Sequence, residues 1–235
     1  MSIEKITLKN NEERVLEYTN FSDVILDLNE GSNLVLKLAN FAENSKIKIS
    51  GKIKKSANLL VFFADFSKGN SEIVSKIELA EEGANCDWHL ATLSNKKDNK
   101  IFDISFTHLV GKTTSNMDNY GVARDESKIV FSGVSHITEG AKSSNAKQNA
   151  KIIVFDKNAQ GVASPILKID ENEVQASHGA IVGQLNSDHM FYLMSRGLTR
   201  DEARTIITLG YLKPVSSKFS EETQSLIENA IKEAM

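Results

Sequence analysis

Few side chains in this 235-residue chain are equipped for chemistry, and their spacing limits what that chemistry is. Cys86 is the single thiol, and His89, His108, His136, His178 and His189 are the five imidazoles. One cysteine excludes an internal disulfide and any zinc site built from several cysteines of one chain. His178 stands between Ser177 and Gly179 in "ASHGAIVGQL", where an imidazole can ligate iron, relay a proton, or simply cap a turn through its ring nitrogens. Cys86 is either a cluster ligand, as thiolates usually are, or a small buried hydrophobe; its slot beside Trp88 and Leu90 favours core packing. His136 and Asp156 flank a polar stretch and are outer-ligand candidates, without a partner at metal-binding spacing. His89 and His108 alternate out of apolar runs and read as surface residues, and His189 is assigned no chemistry. No P-loop, GxSxG or HExxH occurs, so nothing supports nucleotide hydrolysis or acyl transfer by this chain alone.

The elements that must position these groups are short alternating runs: "DVILDL", "NLVLKL", "KIKISGKI", "NLLVFFA", "KIELA", "IFDISFTHLV", "KIVFSGVSHI" and "KIIVF". Runs of this kind between Gly, Asn, Ser and Lys clusters are half-buried strands. Four clusters share one pattern, "EGSN" from Glu30, "KSAN" from Lys55, "EGAN" from Glu82 and "EGAK" from Glu139. A glycine-type turn recurring every 25 to 30 residues or so implies a coil that winds and stacks. The residue three before each Gly or Ser is apolar: Leu28, Ile53, Ala80 and Ile137. After the turns, Leu34, Leu36 and Leu38 match Leu59, Val61 and Phe63, and then Cys86, Trp88 and Leu90, as one side chain in two facing a shared interior. The expected fold is therefore mainly β, a β-solenoid or parallel β-helix, with an antiparallel sandwich as its competitor. The fourth copy breaks the rule: its slots fall on Ser143, Asn145 and Lys147, so it is either a functional surface or a solvated closing coil. Residues 1–23 precede the repeat and receive no role.

From Ser187 the pattern becomes helical. "SDHMFYLMSRG" carries a serine cap, the apolar set Met190, Phe191, Leu193 and Met194, and a stop at Gly197. Thr199 and Glu202 form a capping box, Ala203, Ile206, Ile207 and Tyr211 make an apolar face, and Pro214 terminates. A third helix presents Leu226, Ile227, Ala230, Ile231 and Ala234. These helices either cap the open end of the solenoid or dock another protein. The division expected is a β-helix core over 1–185 and a helical region over 186–235.

Taken together, Ser177-His178-Gly179-Ala180, Gly183, Phe191-Tyr192, Ser195-Arg196-Gly197-Leu198, Glu202-Ala203 and Gly210-Tyr211 resemble the C-terminal segment shared by SufB and SufD, scaffold proteins of the SUF iron–sulfur cluster assembly system. Upstream, "VFSGVSHITEGAKSSNAKQNAKIIVFD" is similar to the same family, and the likeness runs from about Lys128 to Pro214. It implies a right-handed parallel β-helix followed by helices. It also implies pairing with a second SufB/SufD-like chain through the β-helix, and docking of SufC, an ABC-type ATPase, on the C-terminal helices. Where SufB has a cluster-binding cysteine this chain has Asn149, and where SufB has His-Glu it has His178-Gly179, the SufD-like form. An amide is a poor ligand beside a thiolate. The resemblance makes His178 a cluster candidate near the interface of the pair, with Cys86 as the minority alternative, an interior sulfur carrier. Tyr192, Arg196, Gly197, Leu198, Glu202 and Tyr211 become ATPase-docking candidates, and Ser143, Asn145, Lys147 and Asn149 dimer-interface candidates. The chain is shorter than either relative, which suggests a compact version that pairs with itself.

A net charge of −3 gives no bulk electrostatic case for nucleic acid or an anionic membrane. The amino terminus lacks the apolar core of a signal peptide, and the longest apolar run, "LLVFFA", is far too short to span a membrane, so a cytoplasmic location is expected. The leading function is a non-enzymatic scaffold subunit handling an iron–sulfur cluster transiently. The alternatives are a polysaccharide-acting β-helix enzyme and a purely structural β-helix subunit; missing secretion features and scattered acidic residues count against the first of these.

Overall fold

The computed structural model describes residues 3–19 and 21–235. Among them, fourteen strands wind into a parallel β-solenoid and three helices follow. One sheet takes the odd strands in order: β1 (Glu4–Leu8), β3 (Val24–Leu28), β5 (Glu43–Ile53), β7 (Lys68–Leu79), β9 (Asn99–His108), β11 (Lys128–Ile137) and β13 (Gln160–Ile169). The other takes the even ones: β2 (Glu13–Tyr18), β4 (Asn33–Asn40), β6 (Asn58–Asp65), β8 (Asn85–Ser94), β10 (Thr114–Ala123), β12 (Asn145–Val154) and β14 (Gln175–Gln184). Every pairing is parallel, so each odd–even pair forms one rung of a stack. The parallel β-helix expected from the repeat is the fold observed, and the antiparallel sandwich is excluded.

The stacking follows the alternation. Leu34, Leu59 and Cys86 are ladder neighbours, as are Leu36, Val61 and Trp88, and all six are fully buried. Each such Leu, Ile or Phe contributes about 1.5–3 kcal/mol of transfer free energy, and the lumen holds a continuous cluster of them. Part of the even sheet is buried on its outer face too. Ala39, Phe62, Ala64, Ala91, Leu93 and Val122 point away from the lumen and lie under helical side chains. That double burial explains why "LLVFFA" does not alternate.

The corner turns stack because one residue in each takes the left-handed conformation: Asn11, Gly31, Ser56, Gly83, Lys112 and Ser143. Backbone donors link them from rung to rung, Gly31 to Lys55, Ser56 to Glu82 and Gly83 to Lys112. The fourth repeat is accordingly corrected. The equivalent turn is "KSSN" at Lys142–Asn145, not "EGAK", and a rung turning at Lys112 lies between it and Gly83. The turns lengthen along the chain, from Leu28 to Gly31 and Ile53 to Ser56, then Leu79 to Gly83, His108 to Lys112 and Ile137 to Ser143. That growth displaced the count: Leu79, not Ala80, is the ladder residue, and Ser143, Asn145 and Lys147 are not lumen positions. The lumen residues of β12 are Ala146, Gln148, Ala150 and Ile152. Residues before 24 are not a preamble, since β1 and β2 make a complete first rung; Met1, Ser2 and Asn20 lie outside the described residues.

The helices do not cap the open end. α2 (Arg200–Ser216) and α3 (Glu221–Ala234) lie along the outer face of the even sheet, where Leu212, Val215, Phe219, Ile227 and Ile231 meet the outward residues of β6, β8 and β10. Ala203, Thr208, Leu212 and Val215 make the buried face of α2, whereas Ile206 is exposed. Pro214 falls inside the last turn of α2 instead of ending it. α1 (Ser187–Ser195) is capped by Asn186, whose side chain accepts from the Asp188 and His189 amides, one residue before the expected serine. The capping box of Thr199 and Glu202 forms as expected. Polar clips help fasten the helices, two of them short. Glu17 on β2 accepts from the Ser220 and Thr223 hydroxyls, each at 2.6 Å, and Asp156 pairs with Arg204 at 2.7 Å.

Candidate functional site

Residues 160–184 form the last rung, and nothing in the described chain covers it. The inward side chains of β13 are Ala163, Pro165 and Leu167, and those of β14 are Ala176, His178 and Ala180, stacked on Ala146, Gln148 and Ala150. Ile166 (51% exposed) and Ile181 (62% exposed) add apolar surface beside this opening. The opposite end is different: Ile6 and Leu8 are buried in the first rung, and Arg14 there is tied to Glu12 at 2.6 Å.

Both strands of the last rung carry an unpaired edge. Gln160 and Asp170 donate to Ser127 and Ile137, so the even-numbered residues of β13 face β11 and the odd ones face outward. Pro165, which has no N–H, stands in the middle of that outward set and interrupts the edge. On β14, Gln175 and Leu185 donate to Ser144 and Val154. The outward backbone groups there belong to Ala176, His178, Ala180, Val182 and Gln184, an unbroken row.

His178 is therefore on a strand, not in a turn. It is exposed, directly above Gln148, and no side-chain hydrogen bond joins it to another described residue. Cys86 is fully buried on β8, and burial pushes its thiol well above the ordinary range. Three interstrand spacings separate it from β14, at least about 14 Å, so one chain cannot bring Cys86 and His178 to one metal ion. Among the described residues no three His, Cys, Asp or Glu side chains converge as a metal site. The donor set of a single chain at the open end is one imidazole, which does not suffice for a cluster.

The other histidines divide. His108, expected at the surface, is fully buried on β9 in the ladder position of Leu79 and Ile137. It occupies an apolar slot because Thr113 and Ser115 satisfy both ring nitrogens, Nδ1 at 2.7 Å and Nε2 at 2.8 Å. Burial, and secondarily His136, push its pKa down to about 4. His89 does face outward, half-buried, against the Phe62 ring and 3.6 Å from Asp118. His136 holds Asp170 at 2.7 Å and draws that carboxyl below its ordinary range. Burial opposes ionisation of Asp156, yet the Asp125 amide and Arg204 hold its carboxyl low, making it a helix clip.

Ser143, Asn145, Lys147 and Asn149 lie on the turn before β12 and along its outer face, beside the opening instead of on it. Asn149 donates to Asp118 at 2.9 Å. On the helices the six docking candidates also separate. Tyr192 is exposed with the Arg196 guanidinium 5.1 Å from its ring centre, and Gly197 ends α1 at φ +93°. Leu198 is half-buried and Glu202 is engaged in the capping box. Tyr211 turns inward, edge-on to Tyr120, and burial raises its phenol. α1 buries no residue at all, so Phe191 (75% exposed) and Met194 join Tyr192 in an apolar surface. A single sequence gives no sign of that exposure, because an apolar helical face reads the same whether it packs or docks.

With this geometry in hand, comparison with known proteins is specific. Residues 24–211 match the family model described as SUF system FeS cluster assembly, SufBD core domain. The chain is similar to the iron–sulfur cluster assembly protein SufD of Bacillus subtilis, 36% identical over 118 residues, which are 48% of this chain and 27% of that protein. A SufBD family protein of Mycobacterium bovis is 30% identical over 115 residues, 49% of this chain and 14% of that one. A Staphylococcus saprophyticus counterpart is 24% identical over 115 residues, 49% of this chain and 25% of it. The chain thus aligns with about a quarter or less of each relative's length.

Proposed function

Because the chain belongs to the SufBD family of the SUF iron–sulfur cluster assembly system, we propose that it is a scaffold subunit that pairs end to end and docks an ATPase. The observation that carries the reading is the uncovered last rung. An edge with a complete row of backbone donors and acceptors, beside exposed isoleucines, is a template for strand addition. The partner is a second SufB/SufD-like chain, whose edge would extend β14. Ser143, Asn145, Lys147 and Asn149 form the polar margin of that contact.

The nascent iron–sulfur cluster is cargo. His178 supplies one ligand at the opening, and the remaining ligands come from the partner, since among the described residues no His, Cys, Asp or Glu group converges there as a metal site. Cys86 stays in the lumen as packing. Tyr192, Arg196, Gly197 and Leu198, together with Phe191, meet a SufC-like ABC-type ATPase; Glu202 and Tyr211 hold the helices that present them. The chain itself positions and transfers, and runs no turnover chemistry. Among the described residues no helix is long and apolar enough to cross a membrane.

Anaerobic recovery of the tagged chain from its own organism, with bound proteins identified by mass spectrometry, tests this. Stoichiometric recovery of a soluble ABC-type ATPase and a second SufBD-type chain is the expected result. Recovery of neither, repeated with purified ATPase added, overturns the reading.

A further inference from the structure

The lumen changes character towards the open end. Below β9 and β10 it is filled mostly by large apolar side chains; from β10 onward the inward positions include Ser115, Asn119, Gly133, Ser135 and Gln148. Two of these carry an unanswered demand. Gln148 is 2% exposed and Asn119 is 3% exposed, and neither Gln148 Oε1 nor Asn119 Oδ1 has a hydrogen-bond partner among the described residues. The Gln148 amide cannot be turned round to remove the problem. Its Nε2 donates to the Ile166 carbonyl at 3.1 Å and to Ser135 Oγ at 2.7 Å, and a carbonyl can only accept.

Both residues line one small cavity, together with Met117, Phe131, Gly133, Asn149, Ala150 and Pro165, with about 10 Å³ open to the centre of a water molecule. Gly133 leaves that room: a Cβ there would lie 2.8 Å from Gln148 Oε1 and 3.0 Å from Met117 Sδ. We infer that the cavity is a built site for one ordered water, donating one hydrogen to Asn119 Oδ1 and the other to Gln148 Oε1. The size is at the threshold for a single water, and two polar partners are the minimum that hold one. An acceptor left dry at such depth costs more than the water does to immobilise.

The water acts through Gln148. Held at Oε1, the amide keeps its Nε2 on the Ile166 carbonyl, and so ties β13 of the last rung to the rung beneath it. This site is independent of cluster handling and of any partner.

A high-resolution crystal structure of the intact chain, refined with the cavity left empty, provides the test. A single density peak about 2.7–3.2 Å from both oxygens is expected. An empty cavity, or Gln148 Oε1 swung onto a protein donor, overturns the inference. In Gly133→Ala the peak should disappear and the β13 amides should exchange faster by hydrogen–deuterium exchange. Persistence of the peak in that variant would equally overturn it. If Gly133→Ala does not fold, the peak in the unmodified chain decides alone.

Discussion

His108 gives the lumen a pH sensitivity whose size follows from its surroundings. Its ordinary value is 6.5 and its folded value is about 4, lowered first by burial and second by His136. Between those values the unfolded chain binds a proton that the folded chain refuses, so stability falls as pH drops below 6.5 and levels off below 4. The linkage integral gives a loss of about 2 kcal/mol between pH 8 and pH 5, and about 3 kcal/mol by pH 4. Carboxylates titrate over part of the same range, so the comparison must isolate the imidazole. His108→Asn does so: the amide can still bond Thr113 or Ser115, and it does not titrate. Urea unfolding of both proteins at pH 8, 7, 6 and 5 measures the difference. The variant should be the weaker at pH 8, and the gap should shrink by about 2 kcal/mol at pH 5. A gap that stays constant across the series would refute the claim that His108 is held neutral by burial.

Other perturbations test other parts of the fold. Lys100 Nζ lies 2.9 Å from Asp65 Oδ2, with both side chains fully buried. Lys100→Met leaves that carboxylate without its cation and should cost about 3–5 kcal/mol by chemical denaturation, with much of the loss restored by adding Asp65→Asn. Gly31 sits at φ +69°, so Gly31→Ala should lose about 1–2 kcal/mol, whereas Ser56→Gly, at φ 54° in the next turn, should lose nothing in the same assay. Ala180→Pro removes an N–H that points away from β12. It should leave the melting temperature of the monomer nearly unchanged while abolishing self-association or partner binding in sedimentation velocity; if the wild-type protein associates and the variant's profile matches it, pairing along β14 is refuted.

The rungs were legible in the sequence where turn length is constant. Leu34, Leu59 and Cys86 align because the first turns are equally long, and a period read from them holds. It fails at Lys112 and Ser143, where residues inserted in the turn shift the count without disturbing the ladder. β10 does not show in the sequence because "TSNMDNYGVA" has almost no apolar alternation: its inward Ser115 and Asn119 look like loop residues until their neighbours are in place. His108 reads as a surface residue in the sequence for the same reason, since hydroxyl partners from a turn and the next strand make an apolar slot acceptable to an imidazole. The local motif singles out His178 in the sequence, while its position over Gln148 at an uncovered opening depends on strand order. The helical pattern fixed where α2 and α3 lie along the chain, and could not say against what they pack.

The uncovered rung has a consequence for how the molecule comes apart. In a stack, every internal layer is clamped from two sides and a terminal one from a single side, so unzipping begins at the ends. Here the first layer is fastened from the side by the Glu17 clip to α3, while the last has no comparable fastening among the described residues. Fraying should thus be polar, spreading from β14 inwards, with its amides exchanging long before those of β6 or β8. His178 rides on the segment that opens first, and whatever seats itself against that segment lengthens the lifetime of the closed zipper.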